Sequence, residues 1–367
     1  MASPDPKIPK IVTIDPEGDL TINFYEPIKD GPEYVGGSGK RIFGRVLAIF
    51  KVSRQVVSRN SRQFGMMLMG VFQEAGQHVI DIEEGTVNSL ELWFRVLHDA
   101  MTDEMYCIPI EDVWEAIEVC GYRNFDIKRL NTWFEKWFSS TDLEELEIED
   151  MCTLLYPCHE FNHAKGFAFL TKSLAYQMAG HITEINPTSH RHLHLEGNAI
   201  GSINGARGSL RSKMLRGLFE PVDEYLKQRC SCKAEALFSY CTGLSKTGIW
   251  PLESHHKKSV QTILDGPNFI KFVCKPPPNA CVNCLERLAS STLTKTRLNV
   301  LRDFDGLCLD CMDRTKPKLG GVDEDYWEHD RRRAWSSDCR ITHDQPTWYF
   351  SFMGRKTEMR AHQRKKR

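Results

Sequence analysis

Eight cysteines fall between Cys230 and Cys311, and their spacing is the feature of this chain best suited to chemistry. They comprise a C-x-C at Cys230 and Cys232, single residues at Cys241 and Cys274, and C-x-x-C pairs at Cys281/Cys284 and Cys308/Cys311. A C-x-x-C turn sets both sulfurs on one side of a tight bend, and two such knuckles complete a tetrahedron of thiolates around zinc at about 2.3 Å per sulfur. Zinc is therefore the cofactor expected at Cys281, Cys284, Cys308, Cys311, Cys230 and Cys232. The pairing stays open: 23 residues separate Cys284 from Cys308, more than the roughly 15 to 20 usual between knuckles. Cys230/Cys232 can thus replace one C-x-x-C pair. A second site could instead use Cys230, Cys232 and either Cys241 or Cys274, with His255 or His256 as fourth ligand. The plain alternative is reduced cysteines packed as small apolar residues. Four filled ligand positions leave no place for water, so such a zinc would stabilise a small fold and not activate a nucleophile.

The run from Cys308 to Thr315 also fits C-x₅-R-T and is similar to the catalytic signature of Sac-type phosphoinositide phosphatases. That resemblance implies a low-pKa thiolate at Cys308, a phosphate clamp at Arg314 and a candidate acid at Asp313. A Sac domain needs several hundred further residues, for which the rest of the chain leaves no room, and a zinc ligand at Cys308 excludes a nucleophile there. There is no Gly-rich strand-to-helix loop and no G-x-S-x-G, so the chain is expected not to be an enzyme.

Other polar clusters read more simply. His190, His192 and His194 alternate and could gather a metal, but no Cys or carboxylate lies at matched spacing, so they are expected to be exposed loop histidines. Arg207, Arg211 and Lys213 share a helical face expected to be solvated. Cys107, Cys120, Cys152 and Cys158 sit in or beside apolar helical stripes as core or boundary residues. Cys339 has no partner in the sequence, and no metal site is assigned to His329, Cys339 and His343.

The 367 residues with 41% hydrophobic content exceed one ordinary domain and suffice to fill cores. A formal net charge of −1 excludes an overall nucleic-acid footprint, although 355–367 holds seven Lys or Arg. No apolar run approaches the ~20 residues of a membrane helix, and Met1 to Lys10 is no signal peptide. A cytoplasmic or nuclear protein without membrane association is expected. In those reducing compartments clustered cysteines are metal ligands before they are disulfides.

The elements that must position these residues follow from periodicity. Asp19 to Phe24 and Ile42 to Phe50 alternate as strands do, and Val79 to Ile82 forms another. Apolar stripes at helical spacing run through Leu90, Trp93, Phe94, Leu97 and Met101, then Ile110, Val113, Trp114 and Ile117, then Leu130, Trp133, Phe134 and Trp137. Phe50-Lys51-Val52-Ser53 leads into Val56, Val57, Ser61 and Phe64, and this resembles the F-x-V-S, apolar, S-x-x-F signature of the BTB/POZ domain. Met67-Leu68 and Phe72-Gln73-Glu74 continue the match. The family often has His where Ser53 stands, and the loop from Glu26 to Lys40 is longer than usual.

Farther along, Phe167, Leu170, Leu174 and Met178, ended by Gly180 and Pro187, mark one helix; Ile200, Ile203, Leu210 and Leu215 mark another. Asn204-Gly205-Ala206-Arg207-Gly208 and Gly248-Ile249-Trp250-Pro251-Leu252 resemble phrases of the longer BTB proteins of filamentous fungi. The expected fold class is α+β: an arm over 1–18, a BTB/POZ domain with a small sheet and helical cluster over 19–139, an all-helical region over 146–228, a Cys-rich zinc segment over 229–316 and an Arg-rich, flexible tail over 317–367.

The resemblance implies a non-enzymatic protein–protein interaction protein that homodimerises. It also implies a cullin ubiquitin-ligase adaptor, with Phe72, Gln73 and Glu74 as the partner-binding residues; the alternative is a surface loop with Phe72 against the core. The other function class is a BTB-type transcriptional regulator, in which the tail gives nuclear import or non-specific nucleic-acid binding.

Overall fold

Successive side chains of an extended chain leave opposite faces, and the strands follow that alternation. β1 (Lys10–Thr13) buries Val12, β2 (Leu20–Tyr25) buries Leu20, Ile22 and Phe24, β3 (Val46–Val52) buries Ala48, Phe50 and Val52, and β4 (Val79–Ile82) buries Ile80 and Ile82. They form one mixed sheet of order β1-β3-β2-β4; β2 and β3 are antiparallel, and each outer strand runs parallel to its neighbour. The computed structural model describes residues 8–28, 43–70, 73–195, 197–287, 291–312 and 339–342. The chain packs as two units: Met1–Glu145 with Asn186–Leu193, and Leu146–Ile185 with His194–Arg367.

In the first unit, part of the expected arm is a sheet strand, because Val12 lies beside Phe50 in the parallel register and shares its buried face. Lys10 also bonds the buried Glu91 at 2.7 Å. The helices are α1 (Arg54–Asn60), α2 (Arg62–Met69), α3 (Val87–Leu97), α4 (Ile110–Arg123) and α5 (Asn131–Ser140). The two serines of the F-x-V-S and S-x-x-F phrases are helix caps: Ser53 accepts from the Val56 N–H, and Ser61 accepts from the Phe64 N–H at 3.0 Å. Each satisfies a donor that a helix start leaves without a partner. The Ser61 hydroxyl also donates to the Arg123 carbonyl at 2.5 Å and so ties α2 to the end of α4.

Trp93, Trp114, Phe50, Phe64, Phe94 and Phe134 are fully buried. Each indole N–H in this core needs an acceptor. Trp93 donates to the Ala116 carbonyl at 2.7 Å, and Trp133 and Trp137 donate to the Met105 and Ile108 carbonyls at 2.9 Å. Met101, expected on the α3 stripe, falls beyond it, because Asp99 turns left-handed at φ 52° and ends the run.

The second unit is helical: α6 (Ile148–Glu160), α7 (Ala164–Gln177), α8 (Gly197–Lys227), α9 (Lys233–Lys246), α10 (Val260–Leu264), α11 (Pro267–Ile270), α12 (Val282–Arg287), α13 (Ser291–Leu301) and α14 (Leu309–Met312). The long α8 buries Ala199, Ile203, Ala206, Leu210, Met214, Leu218 and Tyr225, a stripe at intervals of three, four and seven. Its basic face is not solvated as the sequence suggested. Arg207 donates to the Ala179 carbonyl at 2.7 Å, Arg211 bonds the Lys258 carbonyl, and Lys213 pairs with Asp303. Connecting segments folded back over α8 supply those acceptors. The turn before α14 is equally close-packed: Gly306 has φ +92°, and a Cβ there would lie 2.0 Å from the Ala168 carbonyl oxygen. Among the described residues no helix is long and apolar enough to cross a membrane.

Candidate metal centre

Two short connections in the second unit bring four cysteines together. Buried Tyr225 fixes the end of α8, so Cys230 and Cys232 occupy the link into α9, with Cys232 at its N-cap. Cys281 immediately precedes α12 and Cys284 lies in its first turn. The Cys284 and Leu285 N–H groups both donate to the Cys281 carbonyl at 3.0 Å, which closes the C-x-x-C knuckle. Tyr225 reaches this knuckle through its hydroxyl, 3.5 Å from the Cys284 carbonyl.

The ligand atoms of Cys230, Cys232, Cys281 and Cys284 all lie within 4.8 Å of one another, with Cys230 Sγ 3.4 Å and Cys232 Sγ 3.8 Å from Cys284 Sγ. A tetrahedron with metal–sulfur bonds of 2.3 Å has edges of about 3.8 Å, so the spacing matches a tetrathiolate cage and is far beyond a disulfide bond. The Cys281 N–H also points to Cys232 Sγ at 3.4 Å. Cys284 is fully buried and Cys232 nearly so, while Cys230 and Cys281 are half-buried.

Ionisation is uneven. The Cys284 backbone N–H and the Cys232 thiol lower the Cys281 thiol to about 7. Burial pushes Cys284 up. Four thiolates so close repel one another unless a cation neutralises them, and a divalent ion would reverse the local preference for the thiol form. These four residues can hold a metal ion.

The structure thus pairs Cys281/Cys284 with Cys230/Cys232, the second of the two pairings open in the sequence. Cys308, fully buried, belongs to a different turn against α7, where the Leu307 N–H donates to Thr171 Oγ1 at 2.8 Å. The side chain of Cys311 and all of Asp313 and Arg314 lie outside the described residues. Cys241 and Cys274 are not members of the four-sulfur group, and with them the expected combination of Cys230, Cys232 and a histidine falls away. Cys120, Cys152 and Cys158 are buried as anticipated, whereas Cys107 is exposed.

The first unit carries different polar features. His190 is not a free loop histidine: Nε2 is 3.3 Å from Glu115, Nδ1 is 3.6 Å from Glu118, and His192 Nε2 is 2.8 Å from Glu118. Those carboxylates come from α4, so spacing along 190–194 could not show them. Phe72 and the side chain of Gln73 lie outside the described residues; Glu74 is half-buried in the turn Gln73–Gly76. Nearby, a groove of about 670 Å³ is lined by Arg59, Arg62, Met66, Met69, Phe125 and Arg129 among others. Met66 and Met69 are 51% and 59% exposed there.

No family model, curated protein or solved structure matches this chain.

Proposed function

We propose that this chain is a non-enzymatic protein–protein interaction protein, whose first unit is a BTB/POZ-type docking domain and whose second unit is held by structural zinc. The observation that carries the reading is the succession β2, β3, α1, α2, β4, α3, α4, α5, with Ser53 and Ser61 capping the two short helices. That order is what the F-x-V-S and S-x-x-F resemblance implies, and the two capping serines are residues of those phrases. Zinc is the metal of choice because four thiolates in a tetrahedral cage favour it and complete its coordination, leaving no open position for catalysis. The fully buried Cys308 thiol gives a phosphatase reading less support, since a nucleophile must meet its substrate.

The groove with Arg59, Arg62 and Arg129 beside exposed methionines suits an acidic partner segment, because Met side chains adapt to varied apolar contacts. A cullin is the partner class we propose for the Phe72-Gln73-Glu74 region. Pull-down of the full chain, with Phe72→Ala/Glu74→Ala as comparison, tests this. Cullin captured by the parent and lost at least tenfold in the variant supports the adaptor reading. Absence of cullin from the parent, or unchanged capture by the variant, removes it. Dimerisation is tested separately by light scattering, where a monomeric mass counts against the BTB-type homodimer.

A further inference from the structure

We propose that the occupant of the arginine-lined groove of the first unit is a second copy of this chain, which docks there the acidic link that follows α5. The inference rests on the reading of the first unit as a docking domain and names the partner of that groove. Arg59, Arg62 and Arg129 line it and are all exposed, and none of the three guanidiniums pairs with a carboxylate among the described residues. One carboxylate lies in the lining, Asp126, and its Oδ1 already accepts from the Lys128 N–H at 3.1 Å. Neighbouring cations left without counterions raise the local potential and favour an anionic occupant.

The same chain carries the complement. Asp142-Leu143-Glu144-Glu145-Leu146-Glu147 puts four carboxylates in six residues with no cation among them. Asp142, Glu144, Glu145 and Glu147 are exposed, Leu143 and Leu146 are half-buried, and none of these carboxylates has an ion-pair partner among the described residues. The Glu144 N–H donates to Asp142 Oδ1 at 3.0 Å, so the link begins in a turn. The apolar spacing matches as well: Leu143 and Leu146 stand three apart, as do Met66 and Met69, which are neighbours on the surface of α2. Methionine adapts its shape to a branched side chain set against it.

Closure of the link onto the groove of its own chain is opposed by α5. Arg129 lies in the turn Ile127–Leu130 at the start of that helix, the acidic link follows its end, and ten residues of helix hold the two about 15 Å apart. No such spacer stands between two copies. Each copy offers one groove and one link, so a two-fold pair makes the contact twice.

Sedimentation velocity of the full chain, run over a range of concentrations at low and at high salt, reads the contact. A self-association step that weakens as salt rises is expected. Arg59→Glu/Arg129→Glu and Glu144→Lys/Glu145→Lys should each weaken that step about tenfold or more. An equimolar mixture of the two variants should restore it, because the reversed groove of one then meets the reversed link of the other and the unaltered pair still matches. A variant that had unfolded would not be rescued by mixing. A parent without a salt-sensitive step, a step unmoved by either reversal, or a mixture that fails to restore it overturns the second copy as occupant. A labelled peptide of residues 139–150, titrated into the full chain by fluorescence anisotropy, separates that failure from failure of the docking reading. Peptide held by the parent and about tenfold more weakly by Arg59→Glu/Arg129→Glu, with no self-association step, overturns the second copy and keeps the groove as a site for a foreign acidic segment. No binding, or equal binding to both, removes the groove reading as well.

Discussion

The two units solve the same problem, fixing several short helices, with different materials. In the first, packed rings fill the interior: Trp93 stacks 4.7 Å from Phe125, Phe134 stacks on Trp137 at 5.6 Å, and Phe50 meets Phe94 edge-to-face at 5.2 Å. In the second, rings are sparser and backbone carbonyls, cations and sulfurs take over, through Arg207, Arg211, Lys213, Tyr176 and the thiolate cluster. Aromatic burial stabilises without a ligand. A cluster of four thiols only stabilises when an ion neutralises it. The difference teaches that the first unit should be indifferent to metal and the second dependent on it.

Removing metal should therefore have the largest effect and fall on one side only. In calorimetry, a chelator or Cys230→Ser/Cys284→Ser is expected to abolish or strongly lower the transition of the second unit while the first unit's transition stays in place. Equal lowering of both would break the comparison.

A mirror experiment acts on the first unit. Trp93 is fully buried and donates to the Ala116 carbonyl, so Trp93→Ala removes packing and leaves that carbonyl without its donor. A loss of roughly 3–5 kcal/mol is expected in urea unfolding, confined to the first unit.

A smaller effect tests electrostatics within that unit. Arg123, nearly buried, pairs with Glu84 and lies 5.0 Å over the Phe64 ring. Burial alone would raise the Glu84 carboxyl, but the Arg123 charge, the Tyr122 hydroxyl and nearby backbone N–H groups together hold it below the usual carboxylate range. A depressed carboxyl contributes stability above its unfolded-state pKa, and that contribution is lost as pH falls through the folded-state value. Acid titration of stability should therefore show a component below the ordinary carboxylate range that Glu84→Gln removes. Arg123→Ala should cost about 3 kcal/mol at neutral pH.

The smallest expected effect is at the cap. Ser61→Ala should cost about 1–2 kcal/mol by equilibrium unfolding, since it loses both the Phe64 N–H cap and the bond to the Arg123 carbonyl.

Elements governed by local periodicity were legible in the sequence. β4 and the buried stripes of α3, α4 and α5 fall where alternation and helical spacing put them. What depended on distant chain was not legible. Cys281/Cys284 had two candidate partners, Cys230/Cys232 and Cys308/Cys311, and the choice was made by Tyr225 and the α8–α9 link. The basic face of α8 and His190 looked solvated for the same reason: periodicity tells which face a side chain occupies, not what covers it.

Hydrogen exchange of the full chain with and without chelator tests the central claim most directly, because it reads each unit by residue. The account predicts lost protection in the link after α8, in α9 and in α12, with β2, β3, α3 and α4 unchanged. Unchanged protection at 230–232 and 281–287 on complete zinc removal would contradict it, as would equal loss in the sheet of the first unit.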